Sequence, residues 1–297
     1  MAIILGDNQY GKAENRLVRI HRDAPRHEIR DLNVSTALRG PFDPAYLEGA
    51  QTNVLPTDTQ KNTAFAFAKS KGVESIERFG LDLARHFVSD IDPVEGARVE
   101  IEEYAWQRAV VDGVEHDHTW LRKGQEIRTA AVTVDQAGEH VVGGLKDLVL
   151  LKSTGSEFAG FLEDEYTTLQ ETHDRVMATS LVAQWRFTSV DVDWDATYTG
   201  IKQLMVKEFA TLQSLALQQT LWHMGRAVLE AYPFIAEVRL KAPNKHHFVV
   251  DLSPFGLDNP GEVFVAADRP YGLIEATVLR DDAPAAGDAW RISAGLA

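Results

Sequence analysis

Apolar and polar positions along this chain alternate at two periods, and the changes of period mark its elements. In Leu17–Arg22, Val18 and Ile20 alternate with Arg19 and His21, the pattern of a half-buried strand. Asp23-Ala24-Pro25 turns the chain, and an extended His27–Val34 returns to make a hairpin. Pro41, Pro44 and Gly49 mark a connecting loop. Thr57, with Gln60 three residues on, matches a capping box, which predicts a helix from Thr57 through Phe67. A second helix is expected over Ser75–Val88, with Ile76, Phe79, Leu83 and Phe87 on one face. Val99 and Ile101 against Glu100 and Glu102 restore the strand period. A polar loop at Asp112–Asp117 and a strand over Ile127–Val134 follow.

The second half repeats that order. Val141–Leu151 reads as an apolar strand, and Leu181, Ala183, Trp185 and Phe187 alternate in another. One helix carries Ile201, Leu204, Met205, Phe209 and Leu212; the next carries Leu217, Leu221, Met224 and Val228 at helical spacing. Val238 and Leu240 alternate with Arg239 and Lys241, Phe248-Val249-Val250 follows a polar turn, and Gly272–Leu279 closes the series. The expected class is α+β, a ββααββ unit used twice, with each half an antiparallel four-stranded sheet covered by helices on one face. The expected domains are 1–137 and 138–280, with Asp281–Ala297, rich in Asp, Ala, Gly and Pro, as a frayed tail. Exposed edge strands argue for an oligomer in which sheets meet and close into a barrel.

Between the strands of the second half lies Leu151–Arg175, LKSTGSEFAGFLEDEYTTLQETHDR, which keeps neither period. Gly155 and Gly160 interrupt it, so a long structured loop with one helical turn is expected. Long ordered loops in compact domains are commonly functional. Phe158 and Phe161 beside Arg175 suit a flat polar anion, stacked on a ring and gripped by a guanidinium. The same residues also suit a plainer arrangement, with both rings in the core and Arg175 paired to Asp174 or another acid.

Composition narrows the classes. The 297 residues are 44% hydrophobic and 25% charged, as in ordinary globular proteins. No apolar run reaches the roughly 18 residues of a membrane span, and Met1–Lys12 lacks the basic start of a signal peptide. Gly295-Leu296-Ala297 is not a peroxisomal address. A cytoplasmic location is expected. A cysteine count of 0 removes disulfides, thiolate nucleophiles and cysteine-held metals. A net charge of -14 opposes binding to nucleic acid or an anionic membrane, but leaves room for a small anion beside one local cation.

Several polar clusters then invite chemistry. His116-Asp117-His118 has alternating spacing that could ligate a metal from a strand, and His246-His247 is another pair, although the first suits a solvated loop better. Asn244-Lys245-His246-His247 after Pro243 offers a hydrogen-bond donor and a proton carrier at a strand end, or is a surface turn. Thr57 and Asp58 open a helix whose free N–H groups favour an anion. Lys12 is a base only if its environment lowers its pKa well below the ordinary value. Gln218 and Gln219 each either enter a pocket or face water.

Six segments join these clusters: YGK near the start, TDTQKNT, STGSEF…GF…DEYTTLQET-DR, LQQTLW, PNKHHF and DRPYGLIEAT. In order and approximate spacing, over Ile3 to Arg280, they resemble the urate oxidases (uricases), bacterial type. The resemblance implies tandem tunnelling-fold domains whose dimers form barrels that stack as a homotetramer. It implies oxidation of urate by O2 and water to 5-hydroxyisourate and hydrogen peroxide in purine catabolism, without metal or organic cofactor. On the matched motifs, Arg175 and Gln218 correspond to a pincer on the purine edges, with Gln219 the lower-ranked alternative. Phe158 is the stacking face, and Leu169, Leu217 and Ile274 are apolar wall. Lys12, Thr57 and His246 are similar to a proton relay, and Asn244 with Thr57 would hold O2 or water above the ring. Thr57 and Asp58 would come from a neighbouring subunit. Two rivals stand beside this: a metal-dependent hydrolase using His116, His118 and His246, and a non-catalytic purine- or pterin-binding relative.

Overall fold

The computed structural model describes residues 2–291. Its elements run β1 (Asn15–His21), β2 (Glu28–Arg39), α1 (Asp43–Leu47), α2 (Thr57–Ser70), α3 (Ile76–Asp90), β3 (Gly96–Val111), β4 (Val114–Asp135) and β5 (Gly138–Lys152). After β5 come β6 (Met177–Phe187), α4 (Trp194–Thr211), α5 (Leu217–Ala231), β7 (Ile235–Val249) and β8 (Phe264–Leu279). The chain divides into two compact units. The first takes the residues up to Gly144, Arg186–Ala196 and the segment from Pro284; the second takes Leu145–Trp185 and Thr197–Ala283.

In the first unit β1 to β4 lie in chain order. β1 and β2 are antiparallel with Leu17 opposite Leu32, and β2 and β3 with Val34 opposite Ile101. Those four side chains are all buried. α3 lies on this sheet. Ser75 caps it by accepting from the Arg78 N–H at 3.1 Å, and Ile76, Phe79, Leu83 and Phe87 are buried at helical spacing. Gly80 sets the approach: a Cβ there would stand 2.9 Å from Val132 Cγ2 of β4.

The second unit uses the same device. Ala236, Val238, Leu240 and Ala242 of β7 are buried at period two. α5 buries Leu217, Leu221, Met224 and Val228, and a Cβ at Gly225 would stand 2.5 Å from Val278 Cγ2 of β8. β7 and β8 pair antiparallel from Glu237–Leu279 to Val249–Phe264, with one irregularity between Asn244 and His246.

Five local expectations change. Asp112–Asp117 is not a loop: Asp112 (φ 52°) and Gly113 (φ 83°) make a two-residue turn, and β4 starts at Val114. Positive φ at both positions is what a twist-matched hairpin turn needs, and Asp-Gly supplies it. The Pro41–Gly49 connection contains the short helix α1. Thr57 does not cap α2. Pro56 is the cap residue, its carbonyl accepting from the Gln60 N–H at 3.2 Å, and Gln60 turns inward instead of back toward a cap. β7 runs unbroken through Pro243 to Val249, so the PNKHH segment is strand; proline is tolerated there beside the irregularity. Finally, Asp281–Arg291 is not frayed. Gly287–Trp290 forms a 3-10 turn, Asp288 pairs with Arg39, and the buried Ala289 carbonyl accepts from Arg98 Nη1 at 3.2 Å. The rest of that expected tail lies outside the described residues.

Among the described residues no helix is long and apolar enough to cross a membrane.

Candidate functional site

The loop 153–176 contains no helical turn. Its order comes from stitching at both ends. Phe158 and Thr172 exchange backbone hydrogen bonds of 2.8 and 3.0 Å, and the Arg175 N–H donates to the Ser156 carbonyl at 2.8 Å. The Ser214 N–H donates to Gly155 O (3.0 Å) and the Glu157 N–H to Ser214 O (2.8 Å), tying the loop to the start of α5. Ser156 and Ser214 are fully buried, and Ser214 Oγ shares a 2.7 Å bond with Thr220 Oγ1 inside α5. Gly155 takes φ +72°, the left-handed conformation that lets the chain turn into this seam. Phe158, Arg175 and the first turn of α5 are thereby fixed in one place.

Arg175 is half-buried with its guanidinium carbon 5.6 Å above the Phe158 ring. Phe158 in turn stacks on Phe161, centroids 5.0 Å apart and planes at 16°. Pairing of Arg175 with Asp174 does not occur: the Asp174 carboxylate accepts from Thr154 Oγ1 at 2.9 Å. Arg175 Nε is buried without a hydrogen-bond partner among the described residues. Burial pushes the guanidinium pKa down, against its charged form. An unpaired, partly desolvated cation above an aromatic ring is a socket for a planar anion.

The two glutamines at the same helix start differ in their surroundings. Gln219 Oε1 accepts from the Leu215 N–H at 2.9 Å, so its amide closes the turn before α5. Gln218 is exposed and lines the cavity.

β7 supplies the other wall. Asn244, His246 and His247 are half-buried around the strand irregularity, with Ile274 of β8 nearby in the register. Burial lowers the His246 pKa first, and the charges of Arg175 and His247 lower it further, all favouring the neutral imidazole. The cavity enclosed by loop, α5, β7 and β8 has a volume of about 640 Å³. Phe158, Leu169, Arg175, Leu217, Gln218, Asn244, His246 and Ile274 all line it. Their exposure differs: Leu217 is 2% exposed and Leu169 55%, so Leu217 is rigid wall and Leu169 a rim residue.

Lys12, Thr57 and Asp58 belong to the first unit, and they also gather. A Cβ at Gly11 would stand 1.7 Å from the Thr36 carbonyl oxygen, so only glycine lets this segment lie against β2. There the Thr36 N–H donates to Lys12 O at 2.8 Å, and Thr36 Oγ1 donates to Gln60 Oε1 at 2.7 Å inside α2. Thr57 heads that helix, with its hydroxyl not spent on a cap. Asp58 is held below the usual carboxylate range mainly by its contact with Lys61, with Asn62 and the Lys12 charge adding to it.

His247, noted in the sequence only as half of a histidine pair, also lines the cavity, as do Phe264, Pro260 and Gly261, which the sequence did not single out. His247 lay in view within PNKHHF. Phe264 enters only because it pairs with Val249 across the β7–β8 ladder, which no local signal announces. His116 and His118 stand on β4 in the first unit, rings 4.4 Å apart, and His246 in the second. Among the described residues no group of three His, Cys, Asp or Glu is arranged to hold a metal ion.

Comparison with known proteins covers the segments that carry these residues. The family model described as Uricase matches residues 8–133 and 141–275. The uricase of Arthrobacter globiformis is 50% identical over 294 residues, covering 99% of this chain and 96% of that protein. The uricase of Danio rerio is 37% identical, covering 91% and 93%. The crystal structure of the Arthrobacter globiformis uricase superposes with a TM-score of 0.92 at 51% identity, covering 96% of this chain and 98% of that one.

Proposed function

The chain belongs to the uricase family, and from that premise we propose how its residues carry out urate oxidation. Urate, O2 and water give 5-hydroxyisourate and hydrogen peroxide, with O2 as co-substrate and neither metal nor organic cofactor. The observation that carries the assignment is Arg175: half-buried, without a carboxylate partner among the described residues, over the Phe158 ring and lining one cavity with Gln218. A planar purine anion stacks on Phe158, its charge offset by the guanidinium and its edge fixed by the Gln218 amide. Leu169, Leu217 and Ile274 exclude water from its rim.

Removing a further proton makes the dianion a better electron donor to O2. Thr57 and Lys12 carry that proton, and His246, kept neutral, accepts and returns protons on the other side. Asn244 and Thr57 hold O2, then water, above the ring. Asp58 lines the substrate's edge from the first turn of α2. Lys12, Thr57 and Asp58 act on the cavity of a neighbouring subunit in a cytoplasmic homotetramer of tandem tunnelling-fold domains, 1–137 and 138–280, whose sheets close into barrels. The repeated element order and the matched glycines, Gly80 and Gly225, support the duplication. The exposed apolar residues Val149, Leu151, Phe248, Val249, Val265 and Leu273 on β5, β7 and β8 support burial between subunits.

The test is loss of urate absorbance with a peroxide electrode, in air and with EDTA present. One peroxide formed per urate consumed is expected; persistence of urate in EDTA with loss on adding metal would overturn the cofactor-free mechanism. Shared sites are tested by co-expressing Thr57→Ala and Arg175→Ala chains. Hybrids should regain activity that neither variant has alone, and inactive hybrids would place each site within one chain.

A further inference from the structure

The connection from β7 to β8, residues 250–263, puts Pro260 and Gly261 into the cavity wall beside Phe264, and no role in the proposed reaction uses it. None of its residues is buried, so no apolar core holds it in place. Asn259 does. Its Nδ2 donates to the carbonyls of Val250 at 2.9 Å and Val263 at 2.8 Å. Its Oδ1 accepts from the N–H groups of Glu262 at 2.9 Å and Val263 at 3.0 Å. An asparagine amide has two N–H donors and an oxygen with two lone pairs, and here all of them are used. The side chain ties the end of β7 to the start of β8, where the Val250 N–H also donates to the Val263 carbonyl at 3.1 Å. With no hydrogen-bonding capacity left for a ligand, Asn259 acts on the cavity only through the residues it fixes.

Those residues are the next two. Gly261 takes φ +85°, and a Cβ there would come 3.8 Å from Phe264 Cζ. The Phe264 ring in turn meets the His247 ring edge-on, with centroids 6.5 Å apart at 76°. Pro260, Gly261, Phe264 and His247 therefore make one continuous stretch of wall. A bare purine fills only part of a cavity of about 640 Å³, so the walls beyond the residues that grip it decide which substituents fit.

We propose that Asn259 is a positioning residue for substrate size: by clamping the β7–β8 connection it holds Pro260 and Gly261 as a fixed wall, and that wall limits the substituents a bound purine can carry. Without the clamp the connection keeps only its local turns. The Asp251 carboxylate accepts from the Ser253 N–H at 2.9 Å and Ser253–Phe255 forms a 3-10 turn, and neither reaches Pro260. The wall then yields to a larger ligand. Phe158 and Arg175 keep their places, because the loop that carries them is stitched to Ser214 and to itself.

This inference rests on the urate oxidase reading, and its test separates the two. Urate, and urates bearing one benzyl group at N1, N3, N7 or N9, are titrated calorimetrically without O2 into the unaltered protein, Asn259→Ala and Pro260→Gly. Affinity for urate should stay within about threefold in all three. For at least one benzyl urate, affinity relative to urate should rise by about tenfold or more in both variants, the scale on which small changes of pocket fit discriminate ligands. Amide hydrogen exchange guards against a variant that fails to fold. In N259A it should quicken at Val250, whose own acceptor is untouched, and stay unchanged at Phe158, Thr172 and Arg175. Relative affinities that coincide in all three proteins for every benzyl urate would overturn the proposal, as would exchange that quickens equally in the loop. If the unaltered protein does not consume urate in air, the functional reading fails; exchange at Val250 then decides the clamp, and an unchanged rate there would overturn it.

Discussion

Arg175→Ala separates a binding residue from a structural one, because the two readings differ in the sign of one measurement. In the free protein the guanidinium has no carboxylate partner, and its buried Nε has no acceptor among the described residues. A buried unsatisfied donor costs about 1–3 kcal/mol. Truncation removes that cost, while losing stem packing and the contact with the Phe158 ring, worth about 0.5–1 kcal/mol. Stability should therefore change by no more than about 1 kcal/mol in either direction, read from urea unfolding. Arg175→Met, which keeps most of the stem, should be at least as stable as the unaltered protein. Binding should respond oppositely. Two charge-assisted hydrogen bonds at about 1.5–3 kcal/mol each imply that affinity for urate falls by about 100-fold or more in both variants. Calorimetric titration with urate under anaerobic conditions, where no turnover follows, measures this directly. Urate affinity within about threefold of the unaltered protein would refute the argument, as would a stability loss above about 3 kcal/mol.

Three other outcomes follow from the same geometry. Ser214→Ala leaves the buried Thr220 hydroxyl without its 2.7 Å partner and loosens the seam beneath the loop. It should cost about 1–3 kcal/mol in urea unfolding and raise KM, and an unchanged midpoint would show the seam to be dispensable. Gly225→Ala sets a methyl 2.5 Å from Val278 Cγ2. A loss of about 1–3 kcal/mol is expected, relieved in the double variant with Val278→Ala; equal stability of the single variant would mean that α5 shifts freely. Lys12→Met should lower kcat by about 100-fold or more with the circular dichroism spectrum intact, and unaltered turnover would remove Lys12 from the relay.

Most elements were legible because their burial is periodic. The helix over Ser75–Val88 and the strands around Val99, Leu181 and Val238 follow from spacing alone, since one face of each meets a core. Reading failed where a local rule had two solutions. Thr57 followed by Gln60 reads as a capping box, but Gln60 is drawn inside by Thr36, a residue 24 positions away. Asp112-Gly113 could have been read as a tight hairpin turn, and the polar residues after it suggested a loop. Pro243 suggested a break, yet the strand tolerates it beside an irregularity.

The sequence alone therefore determined most element types, the absence of cysteine chemistry and, through six spaced segments, the family. These depend on short-range periodicity and on side chains that must be present whatever their surroundings. Only the tertiary structure decided that Asp174 is engaged by Thr154 and Arg175 left unpaired, that Gln219 closes a turn while Gln218 lines the cavity, and that His247 shares the wall with His246. Each is a competition for hydrogen-bond partners brought together by long-range packing. A side chain's chemistry is written in the chain, but which partner it finds is settled only when distant segments meet.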